Sequence, residues 1–149
     1  MEDNRLILVA PGATMSNDKK LSRSESRKPA KLDRIFKTAW FAKEARKAKI
    51  ADDILCHAIK QAMQGQADDL GGGVYKKRLN DNMHRSIILA KAGRHWIYVY
   101  LYAKKDRENI APDELVAFKK LAKDYGNASD IKIAALINVE ELLEICHDN

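Results

Sequence analysis

The nine-residue run from His95 to Ala103, HWIYVYLYA, constrains this chain more than any other feature. Trp96, Tyr98, Tyr100 and Tyr102 alternate with Ile97, Val99, Leu101 and Ala103, so a strand here shows apolar or aromatic groups on both faces. That pattern predicts a strand largely covered on both sides. Two strands are predicted just upstream. Val74–Leu79 is the first, Asn80–His84 its turn, and Arg85–Lys91 the second. Ala92-Gly93-Arg94 is a tight turn into the third. Turns this short make the three strands antiparallel neighbours.

The rest of the chain reads around that centre. Arg34–Thr38 predicts a short strand. Trp40–Lys49 predicts a helix with Trp40, Phe41, Ala45 and Ala48 on one face, and Ala51–Gln64 a second with Leu55, Ile59, Ala62 and Met63 as its stripe. Asp52 and Asp53 suit the positive end of the second helix. The two form a hairpin or a bent pair. Asp68–Gly73, DDLGGG, reads as a loop. Pro112–Tyr125 predicts a helix begun by Pro112 and stopped by Gly126, with Leu115, Phe118, Leu121 and Ala122 inward. Ser129–Val139 predicts a short helix capped by Ser129, and Leu142–Cys146 a last strand. The fold class is therefore α+β. It is a small antiparallel sheet, mixed at its edge, of about four to five strands, with an N-terminal helical pair and C-terminal helices.

At 149 residues the chain is one domain with room for a tail. Residues 1–34 are polar and basic with no periodicity, and are expected to be a flexible extension preceding a domain over 35–149. Met15 is an alternative start. No run reaches transmembrane length. Leu6–Ala10 is a poor secretory signal, with Glu2 and Asp3 before it and Pro11 after. Cys56 and Cys146 have no metal-ligand spacing, and two buried thiols in a reducing cytoplasm account for them. The expected location is cytoplasmic, with no membrane partner.

The net charge of +6 is unevenly spread. Between residues 70 and 107 nine basic residues face two acidic ones, while residues 108–149 are acidic on balance. A basic face that meets phosphate fits this distribution, and so does a merely soluble basic protein. On the first central strand, alternation sends Lys76 and Arg78 to one face, about 7 Å apart, and Lys77 to the other. Each basic group taken alone is most simply an exposed strand face or a solvated turn. Pairing the strands changes this. Arg85 opens the middle strand, so it lies near Arg78 and near Lys104-Lys105-Asp106-Arg107, which follows the third. Convergence at one end of a sheet is harder to explain as solubility. Lys91 and Arg94 fall at the opposite end.

Other chemistries find little support. No H-E-x-x-H or similar pair exists, so no metal site is expected, and no cofactor. Gly71-Gly72-Gly73 lacks the G-K-[ST] ending of a P-loop. His84 precedes Arg85 and could join the basic end, but a lone histidine in a turn is more often structural. His147 carries the same weight. The tyrosines could stack on bases, though in a small sheet such residues are usually core.

FKTAWFAKEARKAKI, DLGGGVYKKRL, HRSIILAKAGRHWIYVYLYAKKDRENI and ELVAFKKLAK together resemble the RelE-like branch of the RelE/ParE superfamily of toxins, over about residues 35–146. The combination of L-G-G-G-x-x-K-K-R with Y-A-K-K-D-R-E-N-I carries the resemblance. It implies an antiparallel sheet with a helical pair on one side. It also implies a type II toxin that cleaves mRNA in the ribosome, without metal, and a cognate antitoxin that holds it inactive. In such toxins a ribose 2′-OH attacks the adjacent phosphate, and basic groups replace the usual histidine pair. The resemblance loads Arg85 as phosphate clamp. It loads Lys76 or Arg78 for orienting the phosphate or activating the 2′-OH, and Lys105 or Arg107 for the leaving group. Lys77, Lys104 and His84 are expected RNA-binding neighbours. Relatives often place a tyrosine soon after the last basic motif; here Ile110 and Ala111 stand there. Two other readings stay open: a ParE-like inhibitor of DNA gyrase, and a non-catalytic RNA-binding relative.

Overall fold

The computed structural model describes residues 33–91 and 95–147. Nearly all of the expected extension, Met15, and the Ala92–Arg94 turn lie outside the described residues. Among the described residues there are six strands and four helices, in the order β1 (Arg34–Thr38), α1 (Ala39–Lys47), α2 (Asp52–Met63), β2 (Asp68–Gly71), β3 (Val74–Leu79), β4 (His84–Lys91), β5 (His95–Ala103), α3 (Pro112–Asn127), α4 (Asp130–Asn138) and β6 (Leu142–Ile145). One sheet holds all six, ordered β2-β3-β4-β5-β1-β6. Its pairs are antiparallel except β1 with β5, which run parallel. The architecture is the expected α+β, with one or two strands more than the sequence suggests.

β5 lies inside the sheet, and both its faces are covered. Trp96, Tyr98 and Leu101 join a cluster with Phe41, Ala45, Leu55 and Ile59 of α1 and α2. Ile97, Val99 and Tyr102 join the opposite cluster with Ala122 of α3 and Ile133 of α4. Burying Leu55, Ile59 and Ile88 fully stabilises the first layer by about 1.5–3 kcal/mol per side chain. The Tyr98 hydroxyl, deep in that layer, donates to the Leu55 carbonyl at 2.6 Å, and burial raises its pKa. Thr38 caps α1 by accepting from the Phe41 amide at 3.1 Å, and Ser129 caps α4 by accepting from Lys132.

Several expectations need correction. DDLGGG is not a loop. Asp68–Gly71 forms edge strand β2, and Gly72 and Gly73 make the turn into β3. Only glycine suits that turn: Gly72 has φ +63°, and a Cβ there would stand 2.9 Å from Lys119 Cγ. Gly126 does not stop α3, which runs through it to Asn127. Trp40 does not share the buried face of α1, where Phe41, Ala42 and Ala45 face the core; it is 46% exposed.

Cys56 and Cys146 are not separate thiols. They form a disulfide with Cα atoms 5.6 Å apart, tying α2 to the end of β6. The pairing of β6 with β1, beneath the helical pair, brings the two cysteines together. Arg34 fastens the same edge. Its Nε and Nη2 donate to Glu144 at 2.9 and 2.8 Å, joining β1 to β6. The Arg34 bond holds the Glu144 carboxyl below its ordinary value of 4.5. A depressed carboxyl contributes stability above its unfolded pKa and loses it as pH falls through the folded one. The urea midpoint should therefore fall below about pH 4.5, and Glu144→Gln should show a shallower fall across the same range. Parallel acid limbs for the two proteins would contradict this role.

Candidate functional site

The sequence expects basic groups to meet at one end of the sheet, and the strand registers decide whether they do. Arg78 stands directly opposite Arg85 across β3 and β4, and Arg85 opposite Tyr102 across β4 and β5. All three side chains lie on the face covered by α3 and α4, and alternation adds Lys76. The chain leaving β5 turns back at once: the Lys104 amide donates to the Met83 carbonyl, and the Arg107 amide to Ala103. This places Arg107 over the Tyr102 ring, 5.4 Å from its centroid. Lys76, Arg78, Arg85 and Arg107 thus share one face and one end.

Arg85 is buried, 3% exposed. Its Nη1 donates to the Asn82 carbonyl at 3.1 Å, to Asn82 Oδ1 at 3.0 Å and to the His84 carbonyl at 3.3 Å. Asn80, Asp81 and Asn82 all have positive φ, a conformation that Asn and Asp tolerate better than other side chains. Arg85 therefore braces a turn of uncommon backbone. Its Nη2 stands a loose 3.7 Å from Glu108, whose side chain is 63% exposed.

Acidic and amide groups, mostly from the segment after β5, hold Arg107 and Lys76. Arg107 bonds Glu114 through both terminal nitrogens, and its Nε donates to the Asn109 carbonyl at 3.1 Å. Lys76 Nζ donates to Asn109 Oδ1 at 2.5 Å and stands 3.7 Å from Asp68. Glu114 also accepts from the Ala111 amide, closing the first turn of α3. Its carboxyl is held below the ordinary value chiefly by Arg107. The Tyr102 hydroxyl donates to the Glu108 carbonyl at 3.4 Å. Burial raises the Tyr102 pKa, against the opposing pull of Arg107 and Arg85. Glu108, Asn109 and Glu114 are site residues that the sequence reading did not single out. Glu114 had a signal, three residues after Ala111 at the start of a helix, but it pointed to capping alone.

Arg78 is exposed, with no ion pair among the described residues. Lys77 points to the other face, where its Nζ donates to the Gln66 carbonyl at 2.9 Å. Its pKa is lowered by burial and then by Arg78. Lys104, Lys105 and His84 line a different hollow of about 580 Å³, with Asp81, Asn82 and Met83, beyond the end of the sheet. His84 Nδ1 meets Asn80 Nδ2 at 3.2 Å. Burial lowers the His84 pKa from its ordinary value, Asp106 opposes that and Lys105 adds to it. Lys91 pairs with His95 at the opposite end of the sheet. Among the described residues no cluster of three or more His, Cys, Asp or Glu could hold a metal ion.

This arrangement can grip an anion that carries several oxygens. The buried guanidinium of Arg85 beneath Glu108, the exposed Arg78, and Arg107 and Lys76 beside them form a cationic end on rigid strands. The carboxylates of Glu108 and Glu114 pair with Arg85 and Arg107 there. No helix among the described residues is long and apolar enough to cross a membrane. No curated protein and no solved structure shows significant similarity to the chain. A family model does match: that of the RelE toxin of RelE/RelB toxin–antitoxin systems, over residues 33–145. That span takes in every described strand and helix, from β1 to β6, and the chain belongs to the RelE toxin family, whose members pair with an antitoxin.

Proposed function

We propose that this toxin is a metal-independent mRNA endonuclease that acts in the cytoplasm on mRNA held by the ribosome, and so inhibits translation and growth. The observation that carries the reading is the meeting of Arg78, Arg85 and Arg107 on one face at one end of the sheet. The 2′-oxygen bonds to the adjacent phosphorus, the bond from phosphorus to the 5′-oxygen breaks, and a proton moves from the 2′-OH to the leaving 5′-oxygen. Charge grows on the phosphate oxygens along the way, and fixed cations stabilise it. Arg85 clamps the phosphate with the nitrogen that now faces Glu108. Lys76 or Arg78 orients it or helps to activate the 2′-OH. Arg107, or Lys105 from the adjoining turn, stabilises the leaving group. Lys77, Lys104 and His84 add contacts to the RNA beyond the scissile bond.

The fold alone fits a ParE-like gyrase inhibitor too, because function resides in the site and not in the fold. Inducing the chain in cells and following mRNA integrity beside DNA breaks separates the two. Growth arrest with loss of intact mRNA and unbroken DNA is expected. Arrest with DNA breaks and intact mRNA would overturn the reading, and so would normal growth.

A further inference from the structure

The parallel partner β1 covers only the first half of β5, pairing with His95 to Tyr98. Past that point the chain of β1 has turned into α1, and Trp40 stands beside the uncovered half of β5. Its ring lies against Tyr100 with centroids 5.1 Å apart and an interplanar angle of 18°. One indole face is thus occupied, yet the residue is 46% exposed, which is unusual for a tryptophan with a core within reach. Tyr100 continues to Tyr102 at 5.8 Å, and Tyr102 carries the Arg107 guanidinium. An aromatic series therefore runs from the cationic end of the sheet to an open indole. It borders a hollow of about 500 Å³.

The charges around this hollow select its occupant. Arg107 and Lys47 line it, but so do Glu44 and Asp106. A phosphate would meet two carboxylates there, whereas a flat neutral ring would meet an exposed aromatic face and polar groups able to bond its edge. Resting on the reading of the site as an RNA-cleaving centre, we propose that the Trp40–Tyr100 hollow receives an unpaired nucleobase adjoining the phosphate held by Arg85 and Arg107. Trp40 is then a residue that positions RNA and sets base preference. Every base has a π-face, so stacking gives affinity to all and leaves discrimination to contacts at the rim.

The test uses the full chain and an uncleavable 2′-O-methyl oligonucleotide of mixed sequence. Binding is followed by anisotropy of the oligonucleotide and by indole fluorescence, where buried Trp96 gives a constant background. Trp40→Ala should weaken binding about tenfold and abolish the quench. Trp40→Phe should regain most of the affinity. An oligonucleotide of the same length with abasic sugars should bind wild type no better than the normal one binds Trp40→Ala. Thermal melting guards against unfolding, and if Trp40→Ala melts early the Phe and abasic arms decide alone. Equal affinity of wild type and Trp40→Ala, or of normal and abasic RNA, overturns the proposal. If mRNA is still cut in cells under those results, the endonuclease reading stands and only this subsite falls. If wild type neither binds the oligonucleotide nor cuts mRNA, both fall.

Discussion

Arg85→Ala should abolish growth arrest on induction and lower mRNA cleavage by about 10²–10³-fold, the usual cost of losing one fixed charge stabiliser at a reacting centre. The position is demanding because Arg85 does two things. Its Nη1 braces the Asn80–Met83 turn, and on the endonuclease reading its Nη2, now beside Glu108, takes the phosphate. Removing the side chain also deletes its hydrogen bonds to Asn82 and the His84 carbonyl, at a cost of about 1 kcal/mol. The two effects separate by measurement. Arg85→Lys keeps a charge but loses the fork, so it should recover stability poorly and activity partly. A companion variant, Arg78→Ala, sits on an exposed strand position and should lower cleavage with little change in melting. A folded Arg85→Ala protein that arrests growth as wild type does would remove the site from this end of the sheet.

Reducing the Cys56–Cys146 disulfide should lower unfolding stability by about 5 kcal/mol at most, since the bridge spans a sequence separation of 90 that the unfolded chain would otherwise sample freely. Urea unfolding with and without dithiothreitol measures this directly, and the Cys56→Ser, Cys146→Ser double variant should match the reduced protein. Identical midpoints in all three samples would show that the bridge adds nothing to the fold. The bridge also bears on where the protein works. A compartment that contains translating ribosomes keeps most thiols reduced. The endonuclease reading therefore requires the reduced protein to remain folded, held by the two core clusters and by the Arg34–Glu144 pair.

Local pattern made the centre of the fold legible. β1, β3 and β5 run over the predicted residues, but an irregularity opposite Ile87 and Ile88 breaks the alternation within β5, so Tyr100 and Tyr102 join the cluster opposite that of Trp96 and Tyr98. β2 escaped because glycine dominates it, and glycine in a sequence speaks for turns whether or not a strand runs into them. The parallel join of β1 to β5 and the disulfide both link residues far apart in the chain, and no local signal announces such contacts. Convergence of Arg78 and Arg85 followed from antiparallel pairing alone. What covers them did not. The acidic C-terminal third reads as a region of its own, yet its first residues, Glu108 to Glu114, fold back onto the basic end and hold Arg85 and Arg107. Trp40 misled for a different reason. Helical periodicity groups it with Phe41, but the end of β1 leaves a place beside Tyr100 that draws it out of the core.

Mapping the 5′ ends of cellular mRNA after induction, with translation running and with translation blocked, tests the central claim most directly. The account predicts new 5′ ends within codons that vanish when translation is blocked or when Arg85 is replaced by Ala. Intact mRNA during full growth arrest, or cuts unaffected by the Arg85→Ala change, would contradict it.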